Sequence, residues 1–245
     1  MLEIKKYEVY GLENAVIASG LPMLVDSDSA KYSEKRAKVL GGAKPGSGHD
    51  CFLKGILVTA RVKYPLYWSK QFQRYHFADI ISSQSTMHRI TKMDILKNCN
   101  EWVDPSIVML IDRFVEHYNY LDENSLDECY YAFMPDTSFL YYTDKEEAMK
   151  VAYDAWSEIE GKDCYNNLPV RLITKKDLFM KIISNLPSGF EMEMEIVTNY
   201  LQLKTIYLQR RHHKLPDWQV FCDWIESLPM FKEFCLKEDS NVSKS

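Results

Sequence analysis

Apolar residues recur with two different periods along this chain, and no single kind of secondary structure satisfies both. From Ile56 to Lys63 every second residue is apolar (Ile56, Val58, Ala60, Val62), the pattern of a half-buried strand. From Pro105 onward, Ile107, Ile111, Phe114, Tyr118 and Leu121 fall at helical intervals. A chain that carries both patterns is expected to fold as mixed α/β (α+β), with a central sheet and several long helices.

Local signals place the elements. Ile4, Tyr7 and Val9 read as an opening strand, Lys31–Leu40 as a basic helix, and 41–48 (GGAKPGSG) as a loop that lacks the lysine of a phosphate-binding loop. Pro65 ends the strand begun at Ile56, and Leu66–His76 follows with Trp68, Phe72 and Tyr75 near helical spacing. Asp104-Pro105 is an N-cap and first-turn pair for a helix over about 105–120. Thr143 with Glu146, and Thr174 with Asp177, have the spacing of capping boxes, with Gly161 placed to stop the first of these helices. Cys129–Tyr142, rich in Tyr and Phe, reads as one or two strands, and two more helices are predicted over about 192–211 and 217–226. No repeat and no long linker divides the chain, so the expectation is one domain over 1–238 with a disordered tail over 239–245.

Several functional classes are disfavoured. A net charge of −5 supplies no field for a nucleic-acid polymer. No apolar run approaches the ~20 residues of a membrane span, and Met1–Tyr10 alternates charge with apolar residues, so a cytoplasmic protein is expected. The six cysteines lack CxxC spacing and are read as reduced thiols, and with no signal-peptide pattern at the start Asn241-Val242-Ser243 is read as a chance glycosylation match in a polar tail. No HExxH and no His pair at i, i+4 points to a metal, and no GxSxG elbow points to a serine nucleophile, so neither a metal ligand set nor a catalytic side chain is assigned.

Two polar clusters stand out. Lys70–His76, leading into Ser82–Arg89, combines Arg74, Tyr75, His76, Ser85, His88 and Arg89, and arginine forks with hydroxyls suit a phosphate beside a ring. The bland alternative is a solvated basic face followed by a polar turn. In the second cluster Asn199, Gln202, Gln209, Arg210 and His213 fall on one predicted helix. Eleven residues at ~100° each bring Asn199 and Arg210 within about 20° of one another, some ~16 Å apart along the axis. An exposed polar stripe is the bland alternative here, although Asn in mid-helix is a poor helix former.

Taken together, Gly48-His49 and Phe52, the strand through Ile56, Thr59 and Val62-Lys63, then Pro65 and Gln71-x-x-Arg74, resemble the flavin-dependent thymidylate synthases. Leu186-Pro187, Asn199, Arg210, His213 and Trp218 are similar to a later stretch of that family. The resemblance spans roughly a third of the chain. It implies the family's α/β fold, a homotetramer with sites between subunits, bound FAD, and conversion of dUMP to dTMP with methylenetetrahydrofolate and NADPH as co-substrates. Carried over by position, His49, Arg74, Tyr75, His76 and Asn199 would lie near the flavin, while Gln71, Ser85 and Arg210 would hold the pyrimidine nucleotide. The family needs no protein nucleophile, because the flavin carries the hydride.

The chain also departs from the family pattern. Arg74-Tyr75-His76 stands for Arg-His-Arg, and Ser85-Thr86-Met87-His88 for Ser-x-Arg-Tyr. Ser83 replaces an acidic residue, Lys54-Gly55 a Glu-His pair, and Ile183 an arginine. Each lost arginine removes a charge-assisted contact. A rival reading therefore stands beside the enzyme: a catalytically degenerate protein that keeps the fold to bind a nucleotide or a partner.

Overall fold

The computed structural model describes residues 1–136, 138–160 and 162–236, with the backbone alone at 162, 163 and 166. The predicted helix stop at Gly161, the sequon at Asn241 and the 239–245 tail lie outside the described residues. In chain order the regular elements are β1 (Glu3–Tyr10), α1 (Leu12–Ala18), α2 (Glu34–Gly41), β2 (Leu57–Pro65), α3 (Leu66–Phe72), β3 (Asp79–Ser83), α4 (Thr86–Arg89), α5 (Pro105–Glu123), β4 (Glu128–Phe133), β5 (Phe139–Tyr142), α6 (Lys145–Glu160), β6 (Val170–Thr174), α7 (Lys175–Asn185), β7 (Glu191–Asn199), α8 (Tyr200–Arg210), α9 (Pro216–Ser227) and α10 (Phe231–Cys235). The fold is mixed α+β with two antiparallel sheets. The chain divides into two compact units, one of Met1–Gln84 with Glu191 onward, the other Ser85–Phe190.

In the first unit the sheet order is β1-β2-β7-β3. The alternation read in β2 sets its register: Val58, Ala60, Val62 and Tyr64 lie opposite Thr198, Ile196, Met194 and Met192 of β7, and all eight are buried. The other face is polar, with Arg61 on Glu195 at 2.9 Å. On the buried face sits an aromatic core from α3 and α9. Trp68 stacks on Phe72 at 4.8 Å and packs against Trp218 at 4.9 Å and Phe221 at 5.4 Å.

Three sequence expectations are corrected here. The helix predicted over 192–211 is strand β7 up to Asn199 and helix α8 only from Tyr200. Met and Glu are good helix formers, but Glu191–Asn199 is paired on both sides, by β2 and β3, and that pairing overrides local preference. The helix after Pro65 stops at Phe72, and Gln73–Ala78 turns toward β3. The cap of α6 is Asp144, whose carboxylate accepts from the Glu147 N–H at 2.8 Å, one position beyond the Thr143–Glu146 frame.

In the second unit, α5 packs against α7 and the sheet order is β5-β4-β6. Asp104 caps α5 through the Ser106 N–H at 2.8 Å. Thr174 and Asp177 form the capping box read from their spacing, at 3.1 and 3.0 Å. All six cysteines are free. Among the described residues, no helix is long and apolar enough to cross a membrane.

Candidate functional site

One cluster in the first unit joins the two ends of the sequence reading. It forms where the turn after α3 meets the C-terminus of α8 and the start of α9. Arg210, in the last turn of α8, donates from Nε to the Tyr75 hydroxyl at 2.6 Å, and that hydroxyl donates onward to Gln209 Oε1 at 3.2 Å. The Arg210 guanidinium lies 4.8 Å over the Trp218 ring and 5.5 Å from the Tyr75 ring. Trp218 is itself fixed, fully buried and donating from Nε1 to Gln71 Oε1 at 3.0 Å. Gln71, Tyr75, Arg210 and Trp218 thus come together across about 140 residues of sequence.

The charge of Arg210 is unmatched among the described residues. Neighbouring Arg211 is paired with Asp223 and Glu226, and Asp217 is occupied by the Leu2 N–H at 2.9 Å and the Tyr67 hydroxyl at 2.7 Å. Arg210 makes no ion pair among the described residues. With Nε engaged, both terminal nitrogens remain as donors, in the plane that the guanidinium itself fixes. His213 closes the group at 6.3 Å from Trp218. Its Nδ1 accepts from the Leu215 N–H at 3.1 Å, which leaves Nε2 as a donor in the neutral ring. Desolvation, and then the charges of Arg210 and Lys214, push its pKa down.

The remaining predicted residues are placed differently. His49, Arg74 and His76 are exposed, and no hydrogen bond, ion pair or ring contact ties their side chains to the cluster. Ser85 precedes α4 in the second unit, without a side-chain capping bond. Asn199 does not share a helix face with Arg210. It is the N-cap of α8, with φ −143° and ψ 168°, and its Oδ1 accepts from the Gln202 N–H at 3.1 Å. The helix-breaking tendency of Asn is thereby explained, and Asn199→Ala is expected to cost about 1 kcal/mol of stability by denaturant unfolding. Asn199→Asp should keep that stability, since it keeps the acceptor.

Sequence reasoning missed one feature. Lys204 of α8 is 2% exposed, and its ammonium donates to Asp50 Oδ2 at 2.8 Å, Gly41 O at 2.7 Å and Ala43 O at 2.9 Å. It ties both ends of the 41–50 loop, which carries Gly48 and His49, to α8. Nothing in the 200–210 pattern marks one lysine as buried. Its neighbours Leu203 and Ile206, which are buried, are the available hint. Among the described residues no group of His, Cys, Asp and Glu could hold a metal ion.

No protein-family model matches the sequence, and no curated protein does. Solved structures do. The chain is similar to a flavin-dependent thymidylate synthase ThyX from Helicobacter pylori complexed with FAD and dUMP, at 13% identity and TM-score 0.51, covering 96% of each chain. A second structure of the Helicobacter pylori enzyme with FAD and dUMP matches at 13% identity and TM-score 0.50, covering 96% of this chain and 95% of the other. The resemblance first read from Gly48-His49, Gln71-x-x-Arg74 and the Asn199–Trp218 stretch is met by the backbone: the chain has the fold of the flavin-dependent thymidylate synthases.

Proposed function

We propose that this protein binds a pyrimidine nucleotide and FAD and transfers a one-carbon group to C5 of dUMP, with methylenetetrahydrofolate as carbon donor and NADPH as reductant. The observation that carries the reading is Arg210, whose guanidinium lies over Trp218, donates from Nε to the Tyr75 hydroxyl, makes no ion pair among the described residues and keeps its terminal nitrogens as donors for an anion. An arginine already positioned by one ring and one hydroxyl offers a phosphate two parallel donors at little further entropic cost. Gln71, its Oε1 engaged by Trp218, keeps an amide donor for a pyrimidine carbonyl.

The donor set also fits a phosphate-bearing, ring-containing cofactor. Arg74, His76 and His49 are exposed and make no ion pair among the described residues. Asn199 retains its Nδ2 as a donor after capping α8. FAD, when bound, supplies the hydride chemistry, and the side chains bind, orient and exclude water. By the same reading the working form is a cytoplasmic homotetramer.

The test is direct. Purified protein should take up added FAD, seen as flavin absorbance that survives desalting, and should bind dUMP in a calorimetric titration. A protein that binds neither ligand overturns the proposal. One that binds dUMP but excludes FAD is the degenerate nucleotide-binding protein, a reading favoured by Tyr75 standing where the family has histidine.

A further inference from the structure

Within the second unit, outside every residue assigned above, α5, β5 and the start of α6 enclose a cleft of about 450 Å³, a volume that suits a small organic molecule. Its walls include His117, Tyr120, Tyr141 and Tyr142, and its rim carries Glu116 and Glu147. Among the described residues no lysine or arginine lines it. Arg113, one turn back on α5, is exposed and outside the lining. Neither Glu116 nor Glu147 has an ion-pair partner among the described residues.

His117 completes the chemistry of the wall. Its Nδ1 lies 2.7 Å from the Arg113 carbonyl, a group that can only accept, so Nδ1 carries the proton and Nε2 is left as an acceptor. Its ring centroid is 3.4 Å from that of Tyr141, which holds the imidazole in place. Burial, the largest influence, pushes the His117 pKa down and favours this neutral form. The cleft therefore presents two carboxylates, an imidazole acceptor and three phenol rings whose faces are electron-rich. The two carboxylates disfavour an anion, and a neutral ligand gains nothing from their charge.

We infer that this cleft binds a small organic cation, an alkyl- or arylalkyl-ammonium compound, between the tyrosine rings and the Glu116 and Glu147 carboxylates. Cation–π attraction and unpaired acidic groups act together on such a ligand. Nucleotides and folates, which are anionic, belong to a different site, so the inference stands independently of the proposed reaction.

The probe is benzyltrimethylammonium, titrated calorimetrically into the full chain beside two controls of similar size, neutral N-benzylacetamide and anionic phenylacetate. Binding of the cation is expected at least about 10-fold tighter than either control, a factor in reach of one desolvated cation–π contact with one carboxylate. Both carboxylates are exposed, so Glu116→Gln with Glu147→Gln should leave the thermal melt unchanged and weaken the cation several-fold. Tyr142→Leu should weaken it as well. Equal binding of all three probes, no binding of the cation, or a cation affinity that survives the double Gln variant would each overturn the assignment.

Discussion

Lys204→Met is expected to destabilise the protein by about 3–5 kcal/mol, the cost of breaking a buried ion pair from one side. Methionine nearly reproduces the length and apolar stem of lysine, so packing is kept while the charge leaves. Asp50, 2% exposed, would then be a buried carboxylate with no counter-ion, and the Gly41 and Ala43 carbonyls would lose their shared donor. All three ammonium protons are used in the native structure, so no part of the loss is made up by rearrangement of the same group. In a chain of this size the change corresponds to roughly 6–20 °C in melting temperature. The double variant Lys204→Met, Asp50→Leu should cost less than the single one, because it removes the stranded charge and leaves only the two carbonyls. Lys6→Met, which opens an exposed pair with Glu8, should leave the melt where it was. A Lys204→Met protein that melts within a degree or two of wild type would remove the ion pair from any account of how the 41–50 loop is held.

Arg210→Ala is expected to weaken dUMP about 10- to 100-fold, about 1.5–3 kcal/mol, the worth of one charge-assisted contact. The fold should be little affected, since Trp218 keeps its burial and its bond to Gln71. Arg210→Lys separates charge from shape. A lysine keeps the positive charge but has neither the planar fork nor the flat surface that lies over Trp218, so its affinity should fall between alanine and wild type. Arg211→Ala is the matched control. Arg211 spends its charge on Asp223 and Glu226, and its loss should leave the nucleotide affinity unchanged. Calorimetric titration of dUMP into the four proteins, with melts of each, reads all of these outcomes; equal affinities for wild type and Arg210→Ala would end the proposed role.

Signals confined to a few neighbouring residues were legible in the sequence. The alternation from Ile56 to Val62, the Asp104-Pro105 start and the Thr174–Asp177 box each depend on local geometry, and each occurs in the structure. What could not be read locally depended on distant partners. Met192, Met194, Ile196 and Thr198 alternate as a strand requires, but the interleaved glutamates and methionines favour helix until β2 and β3 pair with them. Lys204 looks like any helical lysine without knowledge of Asp50, 154 residues earlier. For the site, the residue types were legible and their grouping only in part. Gln71 and Arg210 were read as nucleotide ligands and do converge, yet it is Trp218, buried and shared between them, that places both.

β7 passes into α8 with no loop between them, because Asn199 is at once the last residue of the strand and the cap of the helix. α8 is therefore a pointer arm mounted on the sheet, with Arg210 at its tip some ~16 Å from the mounting. A tilt of about 5° at the junction swings the tip by about 1.4 Å over that length. Displacements of that size are enough to spoil the alignment of reacting groups. Substitutions in β2 or β3 that shift the bed of β7 should then alter how a ligand is gripped at Arg210, although they touch neither the ligand nor the arginine. Tolerance to change along those two strands is limited by aim as well as by folding.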